Sequence, residues 1–191
     1  MHGQPAKVLR PGEIRTALGA AARRRSPERN RVMVLLSIKA GLRACEIAGL
    51  TWEMVIDARG RIGTVIELPA SIAKNGSGRR IPLHPDLHKA MTRLKRQANG
   101  TSAVICSERG GPMSAKSVVN WFTALYAGIG LEGCSSHSGR RTFVTRAARL
   151  VQRAGGSLRD VQELAGHRSI KTTQGYIDGD ADAQRRLIRL I

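Results

Sequence analysis

Aromatic residues are scarce: two Trp, two Tyr and two Phe, 3% of 191 residues. A core without rings is built from Leu, Ile, Val and Ala, which favours helix packed on helix over an aromatic-rich β-barrel. The same scarcity argues against gripping single strands by base stacking, which needs exposed rings. Acidic residues are also few, 14 against 32 Lys and Arg, which leaves a formal charge of +18. That imbalance marks a polyanionic partner, most often nucleic acid. A ribosome-like basic protein is the plainer alternative. With so few rings, double-stranded DNA held by its phosphates fits better. The three cysteines, Cys45, Cys106 and Cys134, are scattered and odd in number. They support no disulfide framework and suggest a reducing compartment. Cys134 and His137 share a C-x-x-H spacing, but no second ligand pair accompanies them, so no metal site is expected. No apolar run reaches transmembrane length, and the N-terminus lacks a signal-peptide core. A cytoplasmic, nucleoid-associated protein without membrane contact is expected.

Apolar residues make up 41% of the chain, enough for one domain with a real core. Residues 1–10 read as a flexible lead-in and 11–191 as the domain. PGEIRTALGAAARR from Pro11 is helical, with Ile14, Leu18, Ala21 and Ala22 on one face. Ser26-Pro27-Glu28 reads as a helix start, with Ser26 as its cap, and Gly41 as the helix end. RACEIAGL follows as a short helix from Arg43. RIGTVIELP and RRIPL are β-like, and KNGSG between them is turn-rich. Two or three short antiparallel strands are expected, with Lys74 at or near the hairpin turn. Further helices fit PDLHKAMTRLKRQ, the stretch capped by Ser114, residues from His137 to about Arg153, and LRDVQELAG. VIC is a brief strand or buried segment. Ser157 and Asp160 form a variant capping box. The apolar stripe of the terminal helix, 180–191, needs a partner surface, on its own domain or on a neighbouring protomer. The fold class is therefore α+β: a mainly helical single domain with a small antiparallel β-sheet.

Polar residues suited to phosphodiester chemistry recur along this frame. Cleavage without a metal requires neutralisation of the phosphate, an in-line nucleophile and a proton for the leaving 5′ oxygen. Arg43 and Arg140 suit the first task, because guanidinium stays charged and offers a planar fork of donors. Lys74 on a hairpin tip can deliver a proton into a groove. His137 and His167 can bond a phosphate oxygen or accept a phenolic proton. Tyr176, nine residues after His167, stands among polar residues and can attack phosphorus. Its rival, Tyr126, sits in an apolar helix and reads as core. Glu46 reads as the ion-pair partner of Arg43. Arg79, Arg80 and Arg141 are candidate contacts to DNA phosphates.

Four blocks in order, GLRACEIAGL, KNGSGRRIPL, HSGR and GHRSIKTTQGY, make the chain resemble the tyrosine recombinase (phage integrase) superfamily from about residue 8 to 180. The resemblance implies catalytic roles for Arg43, Lys74, His137, Arg140, His167 and Tyr176, with Glu46 supporting the site. It implies a recombinase catalytic-domain fold, a 3′-phosphotyrosyl intermediate, a free 5′-hydroxyl, and no ATP, metal or other cofactor. It also implies a tetramer on duplex DNA and a monomer without it, with helix 180–191 exchanged between protomers. Most members carry an N-terminal helical domain, whereas here the catalytic part begins almost at Met1. Either an excised catalytic domain or a short recombinase, like the fimbrial-type DNA invertases, has that form. Type IB topoisomerase-like relaxation of DNA and a non-catalytic DNA-binding protein of the same fold are the rival readings.

Overall fold

Two prolines set where the first helices begin. Pro11 and Pro27 occupy first-turn positions, where a fixed φ suits the helix and the missing N–H has no partner to lose. In the computed structural model, residues 6–73, 76, 78–98, 100–176 and 188–189 are described. Helix α1 (Pro11–Ala22) buries Ile14, Ala17, Ala20 and Ala21. Helix α2 (Pro27–Lys39) is buried without a break from Val32 to Ile38. A helix apolar on every side belongs at the centre of a fold, and α1, α4 (Pro85–Lys95) and α6 (Ser138–Leu150) pack around α2. The short α3 (Ala44–Ala48) lies against α5 (Ala115–Ala127). Helices α7 (Leu158–Ala165) and α8 (Ile170–Gln174) follow α6 through a 3-10 turn at Val151–Ala154. A mostly helical chain with one small antiparallel sheet matches the expected fold class.

That sheet is a single hairpin, β1 (Val65–Leu68) with β2 (Arg79–Pro82). Its register pairs Val65 with Pro82, Ile66 with Ile81, Glu67 with Arg80, and Leu68 with Arg79. Side chains alternate between faces. Ile66, Ile81 and Leu68 turn inward and are buried, while Arg80 and Glu67 pair outward across 3.1 Å. No third strand joins them among the described residues. Val104 and Ile105 are buried, but residues 103–112 contribute only isolated bridges, Thr51 to Ala103 and Cys106 to Pro112.

Two local expectations are corrected. Ser26 holds the cap position of α2, but with φ 61° and no side-chain bond to the helix. The corner between α1 and α2 is instead fastened by buried Asn30, whose amide donates to the carbonyls of Ala21 and Arg25. The lead-in over residues 1–10 is not loose at its end. Leu9 is buried, and its N–H donates to Thr142 Oγ1 at 2.8 Å. The terminal helix 180–191 lies outside the described residues except for 188–189.

Two glycines set how closely α6 approaches α2. A Cβ on Gly139 would lie 2.2 Å from Ser37 Oγ and 2.8 Å from Ser37 Cβ. A Cβ on Gly41, at φ +65°, would enter the ring of Phe143. Beyond this contact a small second core forms from Val144, Val161 and Ala165, with Phe143, Ala147, Leu158 and Tyr176 packed on it. Gly139→Ala should therefore lower the free energy of unfolding by about 1–3 kcal/mol. Adding Ser37→Gly should cost less than the sum of the two single changes, a comparison that urea denaturation measures directly.

Candidate active site

Glu46 is fully buried on α3 and binds two arginines. Arg43, the cap residue of the same helix, donates its backbone N–H to Oε2 at 2.8 Å and Nη1 to Oε1 at 3.0 Å. Arg79, from β2, donates Nη1 to Oε1 at 3.0 Å and Nη2 to Oε2 at 2.9 Å. Burial would push the carboxyl up, but the bonds and charges of Arg79 and Arg43 outweigh it and hold the group down at about 2. Glu46 is thus ionised wherever the protein is folded near neutrality. The other terminal nitrogen of Arg43 has no protein partner among the described residues, and its side chain keeps 16% of its surface exposed.

Arg140 enters from the first turn of α6 and is 3% exposed. Its Nη1 donates to the carbonyl of Gly41 and its Nη2 to that of Ala165. Ala165 is the last residue of α7, where carbonyls lack helical partners, and Gly41 lies two residues beyond α2. Each nitrogen retains a second N–H. Burial, then the charge of Arg43, pulls the guanidinium down to about 10, so it remains charged at neutral pH.

A left-handed glycine aims His167. Gly166 closes α7 at φ 62°, and the His167 N–H returns to the carbonyl of Gln162 at 3.0 Å. The imidazole is 8% exposed, with Nδ1 2.9 Å from Thr173 Oγ1. Burial, followed by the charges of Arg140, Arg43 and Arg79, drives it down to about 4. His167 is a neutral imidazole at neutral pH.

Tyr176 lies parallel to that imidazole, with ring centroids 5.4 Å apart and planes 22° apart. The Arg141 guanidinium sits over the Tyr176 ring at 5.7 Å. Thr145 Oγ1 donates to the Tyr176 carbonyl at 3.2 Å. Tyr126, by contrast, is 1% exposed, and burial pushes its phenol well up, as befits a core residue.

The fold therefore brings Arg43, Glu46, Arg140, His167 and Tyr176 together. His137 caps α6, exposed, one turn before Arg140. Lys74 lies outside the described residues. Arg80 is on the open face of the hairpin, with its side chain 75% exposed and paired to Glu67. Arg79 requires a correction: expected at a DNA phosphate, it points inward, 5% exposed, with its fork on Glu46. The alternation of the strand carries the signal that reveals this. Ile81 faces the core, so Arg79, two residues earlier, faces the same way. Around these residues, two guanidinium groups, a neutral imidazole and a phenol can bind a phosphodiester and present an oxygen nucleophile to it.

Residues 7–182 match the phage integrase family. Tyrosine recombinase XerC of Brucella suis biovar 1 (strain 1330) is 32% identical over 164 residues, covering 83% of this chain and 48% of the relative. Tyrosine recombinase XerD of Mycobacterium tuberculosis (strain CDC 1551 / Oshkosh) is 33% identical over 158 residues, covering 78% and 47%. The chain spans about half the length of these curated relatives. Among solved structures, XerA recombinase superposes with a TM-score of 0.75 at 21% identity, over 97% of this chain and 66% of that one. Tn1549 transposon integrase in complex with a circular intermediate DNA gives 0.76 at 20% identity, over 100% and 67%. These superpositions support the fold.

Both depressed groups act on stability in the same direction. The unfolded chain takes up protons at Glu46 below its ordinary 4.5 and at His167 below its ordinary 6.5, whereas the folded chain waits until about 2 and about 4. Stability is thus full above pH 6.5 and falls as acid is added. His167→Gln should flatten the loss between pH 6.5 and 4, and Glu46→Gln the loss between 4.5 and 2. Thermal melting across that pH range tests both.

Proposed function

The chain belongs to the phage integrase family, and from that membership we propose that it serves site-specific DNA recombination, cutting and rejoining duplex DNA through a 3′-phosphotyrosyl bond at Tyr176. The gathering of Arg43, Arg140, His167 and Tyr176 around one buried carboxylate carries this reading. Arg43 and Arg140 bind the non-bridging oxygens and stabilise the added charge of the five-coordinate phosphorus. The phenol oxygen of Tyr176 forms the new bond to phosphorus as the bond to the 5′ oxygen breaks. His137 and His167 bond the phosphate or take the phenolic proton. Lys74 gives the leaving 5′ oxygen its proton. A 5′-hydroxyl then attacks the phosphotyrosine and restores the phosphodiester, so the energy of the bond is kept and no ATP is consumed.

The charge of +18 supports double-stranded DNA as partner, and binding of that kind weakens steeply with salt. Relatives support the rest of the reading. XerH site-specific recombinase has been seen with difH substrate in a post-cleavage complex, and lambda integrase as a dimer on a core site. We place this protein in the same setting, as a homotetramer on DNA in the cytoplasm, associated with the nucleoid. No helix among the described residues is long and apolar enough to cross a membrane.

Covalent trapping tests the proposal. Nicked duplexes of randomised sequence lose a short fragment on cleavage near the nick, which blocks rejoining. The wild-type protein should yield a denaturation-resistant adduct joined at a 3′ phosphate. Tyr176→Phe should yield none while shifting the same DNA in a gel. An adduct of equal yield from Tyr176→Phe would refute the assignment of the nucleophile.

A further inference from the structure

The hairpin that carries Lys74 is fastened to the site through its inner face. Lys74 lies five residues before Arg79, the first residue of β2. The loop between the strands has a pinched base. A Cβ on Gly78 would stand 2.9 Å from the Ala70 nitrogen and 3.0 Å from the Leu68 oxygen. Ala73 is buried, and its carbonyl accepts from the Gly76 N–H at 3.1 Å. Immediately beyond the loop, Arg79 engages three acceptors on two other elements. Its two terminal nitrogens hold the carboxylate of Glu46, and Nε donates to the carbonyl of Leu164 at 2.9 Å. Gly166 lies against the same guanidinium, where a Cβ would be 2.9 Å from Nη1.

We propose that Arg79 is a positioning residue that locks the Lys74 hairpin to the Arg43–Glu46 helix and to the His167 turn, so that proton donor and phosphate-binding groups hold one geometry. This inference rests on Lys74 as the source of the leaving-group proton. A surface phosphate contact needs only a positive charge, and the bonds of Arg79 show a different design. Only a rigid fork reaches a carboxylate and a separate carbonyl together, and a lysine ammonium cannot span both. Arg79→Lys keeps a cation beside Glu46, and so the fold, but frees the hairpin from Leu164.

The test uses the duplex captured by covalent trapping, made with oxygen or with sulfur at the bridging 5′ position. A 5′ thiolate leaves without a proton, so the sulfur duplex does not depend on Lys74. With the oxygen duplex at saturating concentration, Arg79→Lys should slow strand cleavage on the order of a hundredfold, within the range that general-acid catalysis supplies. DNA affinity should not change. With the sulfur duplex, the deficit should shrink by roughly tenfold or more, as it should for Lys74→Ala. Wild-type cleavage of the oxygen duplex by Arg79→Lys, or equal slowing on both duplexes, would overturn the role given to Arg79. If sulfur fails to rescue Lys74→Ala, the assignment of Lys74 fails and takes this inference with it.

Discussion

One buried carboxylate organises the arginines on which the site depends. Glu46 compensates Arg43 and Arg79 directly, and Arg140 lies within the same field. Three guanidinium groups against one carboxylate leave 3 − 1 = 2 positive charges in a site largely closed to water. Buried like charges without counter-ions are costly, and an anion bound there relieves that cost. Burial, and then the charges of Arg140, Arg43 and Arg79, keep His167 unprotonated, which spares the site a further cation. The charge of the site and folding stability are therefore set by the same set of contacts, and Glu46 joins them.

Much of this was legible in the sequence because the chemistry lies in ordered motifs. Arg43, Glu46, Arg140, His167 and Tyr176 are candidates from residue type and from the resemblance of their motifs to the integrase family, and the fold brings those five together. Helix starts at Pro11 and Pro27 followed from proline geometry, and the Ser157–Asp160 box closes as its spacing implied. What escaped was decided by packing. Arg79 reads from the sequence as a phosphate contact, because charge alone does not tell which face of a strand it occupies. Leu9 reads as part of a loose end because its partner, Thr142, lies 133 residues away. Ser26 had the right residue type for a cap, but the corner was already secured by Asn30. Gly139 carried no local turn signal. Its role appears only once α6 is laid on Ser37.

The two cores divide the labour. The larger one surrounds α2 and includes neither His167 nor Tyr176. The smaller one, around Val144, Val161 and Ala165, supports Tyr176. Arg140 stitches the two together through the carbonyls of Gly41 and Ala165. Tyr176 thus rests on the lighter part of the protein, held by a threonine, a stacked imidazole and an overlying guanidinium. Arg43 is anchored beside the heavier part, next to Ala44 and Ile47.

The contacts of Arg140 and Arg79 reach far along the chain. Arg140 meets a carbonyl 99 residues before it and another 25 after it, and Arg79 joins positions 33 residues before and 85 after. The shortest continuous stretch that contains every one of these partners runs from Gly41 to Ala165, and Tyr176 lies beyond it. Closing such long loops comes at an entropic cost before any contact rewards it. A growing polypeptide therefore carries a harmless set of basic side chains until almost all of this sequence has been synthesised. Topology withholds the assembled cluster until the chain has run past α7, and Tyr176 joins it later still.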